Sequence, residues 1–325
     1  MAKQWVEKLN QLGAAREPFF FLIDYANTKG EVYLIENLGG NNISFEFPNV
    51  YTNSPSLSEN LGVKLASNRI DFKTYTKTFD TVMFHLNRGD SYLTNLTFAT
   101  PIDLNVSLEQ LYPLVSAKYK IKYKEDWICF SPETFIQVVH NQIATFPMKG
   151  TIDASTPNAA ETLLNDVKEK AEHSTIVDLL RNDLSMVASN VRVKRLMYLE
   201  KIRTSQGDIL QMSSEIVGNL EENWHSQIGN ILDTLLPAGS ICGAPKQKTL
   251  DIIAQAEDYD RGFYTGVAGY YDGETLDTCV LIRFIENTPN GLVYKSGGGI
   301  TAMSDLRKEY EELNQKIYVP ISRIH

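Results

Sequence analysis

The sequence predicts an α+β fold built on antiparallel sheets. Strand-like runs follow one another at hairpin spacing, helical patterns fall between groups of strands rather than alternating with single strands, and no Pro/Ser linker, repeat or low-complexity tract divides the chain. A doubly wound parallel sheet would need a regular strand–helix alternation, which is missing.

The elements are expected in this order. "VEKLNQLGAAR" from Val6 reads as a short first helix. "PFFFLIDY", "EVYLIENL" and "ISFEF" read as strands separated by Gly, Asn and Lys turns. Residues 56–88 are mixed and mainly helical. Residues 91–100 ("SYLTNLTFAT") and 127–139 ("WICFSPETFIQVV") return to strand. From Asn158 to about Ala188 the pattern is helical, with Leu163, Val167, Ala171, Ile176, Leu180, Leu184 and Val187 on one stripe. Further helices are expected at 226–236 and 245–257. "GFYTGVAGYYDGETLDTCVLIRFIE" reads as a hairpin turning at Asp272-Gly273. The strand "GLVYKS", the run "GGG" and a last helix from about Ser304 close the chain.

Composition narrows the function. The 325 residues suit one large or two interlocked domains, and 43% hydrophobic with 22% charged residues fits an ordinary globular protein. Net charge −9 supplies no basic stripe for nucleic acid, so a nucleic-acid partner is not expected. Cys129, Cys242 and Cys279 are odd in number and far apart, arguing against a disulfide framework and for a reducing cytoplasm. His85, His140, His173, His225 and His325 never stand four apart, as a helical zinc motif requires. The start lacks a signal-peptide core, and the longest apolar run, "FFFLI", is too short to span a bilayer, so no membrane partner is expected.

Several clusters carry candidate chemistry. In the last helix Met303, Leu306, Tyr310, Leu313 and Ile317 form a core-facing stripe, and Glu309, Glu312 and Lys316 line its edge. Glu169 and Glu172 repeat the paired carboxylates on the long helix. Two such pairs offer oxygen ligands for a hard cation, Mg²⁺ above all, against the alternative of solvated helix faces. The glycines of "YKSGGGIT" (294–301) allow close backbone approach, with N–H groups available to an anion. "PAGSICGAPKQKT" (237–249) fails the Walker pattern, because Pro245 stands at the second glycine, and lacks a G-x-C-x-G nucleophile elbow. Arg283 among apolar strand residues needs a carboxylate partner, from protein or substrate. Lys149 in "PMKGT" is either a surface lysine or, in a closed pocket, a nucleophile.

The ordered motifs "SPETF" (131–135), "PMKGT" (147–151), "EHSTIVDLLRNDL" (172–184), "PAGSICGAPK" (237–246), "YTGVAGYYD" (264–272), "DTCVLIR" (277–283), "SGGGI" (296–300) and "EYEELNQK" (309–316) together resemble the chorismate-utilising enzymes, which include anthranilate, isochorismate, salicylate and aminodeoxychorismate synthases. The resemblance runs from about residue 86 to the C-terminus. It implies antiparallel sheets packed as a sandwich and flanked by helices, in one catalytic domain over 1–325. Residues 1–85 would be a shortened N-terminal part and 86–325 the motif-bearing core. It further implies Glu172 and Glu312 as Mg²⁺ ligands with Glu169 and Glu309 close behind. Tyr264, Arg283, Gly297, Gly299 and Lys316 match positions that hold the substrate's carboxylates, Thr151 and Gln211 are further substrate-binding candidates, and Glu133 matches the general acid/base.

A lysine at 149 is similar to the aminodeoxychorismate synthases; anthranilate synthases have alanine there. The implied chemistry is covalent amination of chorismate by ammonia, with Lys149 as nucleophile and a separate glutamine amidotransferase subunit as ammonia source, in para-aminobenzoate and folate synthesis. Two departures stand out. Leu93 occupies the place where related sequences carry a glutamine or a lysine base, which counts against water-adding chemistry. Gln211 replaces a usual histidine, so it can donate a hydrogen bond but not transfer a proton. Anthranilate synthase component I and a non-catalytic chorismate-binding subunit are the alternatives.

Overall fold

In the computed structural model, residues 3–52, 62–204 and 207–321 are described. Helix α1 (Gln4–Ala14) precedes the hairpin of β1 (Phe19–Ile23) and β2 (Gly30–Leu34). Next come β3 (Ile43–Phe47), β4 (Val50–Tyr51), β5 (Leu65–Ser67), α2 (Phe72–Asn87), β6 (Leu93–Leu104), the short α3 (Leu108–Leu111), β7 (Tyr119–Tyr123) and β8 (Trp127–Ser131). They are followed by β9 (Thr134–Val139), β10 (Gln142–Thr145), β11 (Met148–Asp153), α4 (Ala159–Asn165), α5 (Val167–Ser185) and a long hairpin, β12 (Ser189–Thr204) and β13 (Gly207–Asn219). The chain ends through α6 (Ile228–Leu235), β14 (Gly243–Ala244), α7 (Lys246–Ala256), β15 (Val267–Tyr271), β16 (Leu276–Val280), β17 (Phe284–Thr288), β18 (Gly291–Ile300) and α8 (Leu306–Gln315).

The chain forms two compact units, each gathered from three segments. The first takes Met1–Ile35, Glu133–Ser240 and Gly266–Val280. Its sheet runs β11-β13-β10-β9-β16-β15-β1-β2, with β12 on the other side of β13. Strand β1, Phe-Phe-Phe-Leu-Ile, lies between β15 and β2, and all five residues are buried, as a continuous apolar run requires. The second unit takes Glu36–Pro132, Ile241–Thr265 and Leu281–His325. Its sheet runs β14-β6-β18-β17-β8-β7-β3-β4, with β5 on β6. Every strand pair in both sheets is antiparallel, so the α+β fold class predicted from sequence is the one observed.

Within the second unit, α2 starts at Asp71, whose side chain accepts the Thr74 amide, and buries Tyr75, Phe79, Val82 and Leu86 at helical spacing. These pack with Leu96 and Phe98 of β6, Ile252 of α7, Ile300 and Leu313 as one cluster. Strand β7 buries Lys120 and Lys122 as well as its aromatics; each ammonium is paired, with Glu46 and Glu109 respectively.

Several boundaries differ from the sequence expectation. The strand expected over 127–139 is two strands in different sheets. They separate at Pro132, which has no N–H to give to a ladder. The helix expected over 158–188 breaks at Asp166, which caps α5 by accepting the Glu169 amide. The stripe breaks with it: Leu163, Ile176, Leu180 and Leu184 are buried, whereas Val167 and Ala171 are exposed. Of the last stripe, Leu313 in α8 and Ile317 just beyond its end are buried, but Met303, before the helix begins, is exposed. Of the stretch expected to be mainly helical, residues 56–61 lie outside the described residues, and the rest gives β5 and α2. His325 also lies outside them. No described helix is long and apolar enough to cross a membrane.

Candidate active site

The predicted site residues fall in both units, and each set has its own local construction. In the first unit the centre is the "MKGT" stretch. Strand β11 pairs with β13 at Met148↔Ser213 and again at Thr151↔Gln211, which leaves one extra residue on the β11 side. This is a β-bulge, with Gly150 in the left-handed region at φ +83. A Cβ on Gly150 would lie 2.9 Å from Glu169 Oε2 and 3.2 Å from a Leu163 methyl. Glycine therefore admits both the backbone turn and the close approach of a carboxylate.

Lys149, on that bulge, places Nζ 2.8 Å from Glu172 Oε2. The Glu172 side chain is 4% exposed and that of Lys149 25%, so this is a half-shielded ion pair. The other carboxylate oxygen, Oε1, is buried without a hydrogen bond, with Lys168 Nζ 3.6 Å away. Burial first, and then the Glu172 charge, push the Glu169 carboxyl above its ordinary pKa, against the pull of Lys149 and Lys168.

His173, the neighbour of Glu172 on α5, is fully buried, with Nε2 2.7 Å from Ser214 Oγ. That hydroxyl also accepts the Met197 amide, and the Ser214 amide donates to the Pro147 carbonyl. Burial lowers the His173 pKa to about 4, opposed by the Lys149 backbone, so the ring is neutral at neutral pH. Helix α5, β13 and the residues leading into the Lys149 bulge are thereby tied together.

Glu133 begins a first-unit segment and is half-buried. Its Oε1 accepts a 2.6 Å hydrogen bond from Ser240 Oγ, and its backbone carbonyl accepts the Val280 amide. Gln211 is half-buried, and its Oε1 is buried with no hydrogen-bond partner. Thr151, its partner in register, is exposed.

In the second unit the three glycines lie inside β18, paired with β6 at Gly297↔Thr97, Gly298↔Leu96 and Gly299↔Asn95. The expected loop between strand and helix is therefore strand, because each glycine is drawn into the ladder. A Cβ on Gly297 would strike the Leu96 carbonyl oxygen at 2.5 Å. One on Gly298 would sit 3.5 Å from Lys316 Nζ, 3.7 Å from Glu312 Oε1 and 3.9 Å from Glu309 Oε2, so the bare glycine faces a small charged cradle. Lys316 Nζ donates to the Gly297 carbonyl at 2.8 Å and pairs with Glu312 at 2.7 Å. Glu309 is buried and Glu312 exposed. Burial, followed by the charges of Glu309 and Glu312, raises the Tyr75 phenol pKa, which keeps that hydroxyl neutral.

Arg283 joins no strand. It lies between β16 and β17 at φ +56, half-buried, with Nε lacking a hydrogen-bond partner and the guanidinium 5.5 Å from the Tyr318 ring centroid. A non-glycine residue held there is strained, and such strain gathers at functional positions. Tyr264 is buried, and its phenol is pushed up in pKa by burial, so it is a neutral donor. Leu93 is a buried apolar residue paired with Ala244 of β14, with no ionisable group to act as a base.

Two groups escaped sequence reasoning. Ser240, the hydroxyl on Glu133, stands in "PAGSICGAPK", where its residue type was the available signal. The other is Arg261, which forms a bidentate pair with Glu257 (2.8 and 2.6 Å) and donates to the carbonyls of Ile241 and Asn95. Glu257 in turn accepts the Thr97 amide and hydroxyl. Nothing in the spacing of an ordinary i,i+4 pair marks it as buried.

Among the described residues, no three His, Cys, Asp or Glu side chains gather as a ready-made metal cage. Each unit, taken by itself, nonetheless carries donors that suit a hard cation. Glu172 has a buried carboxylate oxygen without a hydrogen bond, beside a second carboxylate of raised pKa, and Gly298 leaves space next to Glu309 and Glu312.

Comparison with known proteins adds a family. The chorismate binding enzyme family matches residues 38–322. An uncharacterised PabA-like protein of Pasteurella multocida is 48% identical over 98% of this chain and 98% of its own length. Aminodeoxychorismate synthase component 1 of Salmonella typhimurium is 31% identical over 75% of this chain and 56% of its own. The solved anthranilate synthase component I from Streptococcus pneumoniae is 25% identical, with a TM-score of 0.65 over 78% of this chain and 58% of its own. Overall similarity does not separate the last two activities.

Proposed function

This chain belongs to the chorismate-binding enzyme family, and from that premise we propose that it is the ammonia-using component of an aminodeoxychorismate synthase, converting chorismate and ammonia to 4-amino-4-deoxychorismate. The observation that carries this reading is Lys149, aimed by a glycine bulge at a buried carboxylate in place of the alanine of anthranilate synthases.

In the proposed reaction the Lys149 amine attacks ring carbon C2 and the double bonds shift. The C4 hydroxyl takes a proton from Glu133 and leaves as water. Ammonia then bonds to C4, the double bonds shift back as the C2–N bond breaks, and the new ammonium returns a proton to Glu133, so that Lys149 and Glu133 are both restored with nitrogen para to the ring carboxylate. Ser240 holds the Glu133 carboxyl in one orientation for that proton. Arg283, whose Nε has no protein partner, and the neutral Tyr264 hydroxyl suit a carboxylate of the substrate, as does the cation Lys316. Gln211 Oε1, also without a partner, suits a substrate hydroxyl. Glu172 and Glu312, backed by Glu169 and Glu309, would hold Mg²⁺, which when bound supplies positive charge to the ring carboxylate. A separate glutamine amidotransferase supplies ammonia in the cell. The three free, buried cysteines fit a cytoplasmic setting.

Intact-protein mass spectrometry after mixing with chorismate and Mg²⁺, without ammonia, tests the nucleophile. A chorismate-derived mass on the wild type and none on Lys149→Ala is expected, with a para amine once ammonia is added. An ortho amine would replace the reading with anthranilate synthase. No adduct and no chorismate consumption would replace it with a binding subunit. Glutamine-dependent activity that no amidotransferase partner raises would remove the partner from it.

A further inference from the structure

Attack by Lys149 needs a neutral, mobile amine. Its position 2.8 Å from Glu172 does the opposite and holds the side chain in an ion pair. The contact is built from both sides. The bulge at Gly150 turns the strand so that Glu169 and Glu172 of α5 meet the Lys-Gly pair, Glu172 at the amine and Glu169 where a Cβ would stand. His173 anchors the same turn of α5 to Ser214, whose amide holds the Pro147 carbonyl just before the bulge. With Glu172 almost wholly shielded, water weakens the pair little. Lys168, 3.6 Å from the second oxygen, is more exposed and holds less firmly.

A divalent cation on Glu172 would sit roughly 2.1 Å from a carboxylate oxygen. The Lys149 ammonium already occupies one of those oxygens, and two positive groups on one shielded carboxylate repel strongly. We propose that Lys149 is the resident counter-ion of the cation site in the substrate-free protein: Lys149 and a divalent cation compete for Glu172, and loading the cation releases the Lys149 side chain. The inference rests on the reading of Glu172 as a cation ligand. It makes the cation the trigger that frees the nucleophile, in addition to its charge on the substrate, so an unloaded protein keeps its amine occupied.

The test is direct Mn²⁺ binding to the substrate-free protein, by calorimetry and by electron paramagnetic resonance of free Mn²⁺. Lys149→Met and Lys149→Gln are expected to bind Mn²⁺ about tenfold more tightly than wild type, or better, because a positive neighbour is gone. Lys149→Arg keeps the charge and should show no gain. Adding Glu172→Gln to Lys149→Met should abolish the gain. In parallel, reductive methylation of Lys149, read by peptide mass spectrometry, should speed up on adding Mg²⁺ while that of exposed Lys73 does not. Equal or weaker Mn²⁺ binding by both neutral variants, with binding still sensitive to Glu172→Gln, would overturn the competition and leave Glu172 a ligand. Mn²⁺ binding indifferent to Glu172, or absent from every variant, would overturn both.

Discussion

Gly150 shows how much of this site depends on one missing side chain. Its left-handed φ and the 2.9 Å separation that a Cβ would have from Glu169 Oε2 apply together, so a substitution meets backbone strain and a carboxylate at once. Gly150→Ala is expected to lower unfolding free energy by about 1–3 kcal/mol, read as a fall in the urea midpoint at unchanged slope. An unchanged midpoint would mean that the bulge relaxes freely. At this scale the sequence singles out candidate residues but is poor on their partners. Lys149, Glu172 and Glu169 stand out by type and motif. That Lys149 pairs with Glu172, 23 positions later, follows from the registers of β11 and β13 and the packing of α5, which no spacing encodes. Likewise Glu309 and Glu312 look equivalent on a helix edge, yet one is buried and the other exposed.

Among the elements, β18 is the clearest case of tertiary context overriding local signals. Three glycines have weak strand preference, but β6 runs alongside and its Leu96 carbonyl comes so near that no Cβ fits at Gly297. The Arg261–Glu257 pair reinforces this region, because it holds Thr97 and Asn95 of β6 and the Ile241 carbonyl at the start of the segment leading to α7. Both side chains are nearly inaccessible, at 1% and 4%. Arg261→Met leaves a buried carboxylate without its cation and removes the guanidinium donors from two carbonyls. A loss on the order of 3–5 kcal/mol is expected from urea unfolding, with Glu257→Leu in the same chain recovering part of it. A loss below about 1 kcal/mol would show that the pair holds nothing.

For the whole molecule, the interleaving of the two units matters most. The segment 133–240 carries β9 to β13, yet β9 needs β16 beside it, and β16 needs β15 and then β1. Ile136 and Val138 of β9 are buried in that assembly. Residues 133–240 expressed alone should therefore show no cooperative urea transition, whereas the full chain should; near-ultraviolet circular dichroism would report either result. A sharp transition in the fragment would make it an autonomous domain.

The sequence by itself determined the antiparallel α+β class, most strand and helix positions, and the set of candidate residues. Those follow from periodicity, charge and residue type, which act over a few neighbours and leave a local trace. Only the tertiary structure decided that 127–139 divides between two sheets, that the glycine run is strand, that Arg283 sits strained outside both of its flanking strands, and that the lysine of "PMKGT" closes onto Glu172. Each of those depends on what lies opposite in space, where burial and register among residues distant in the chain outweigh the preferences of the residues themselves.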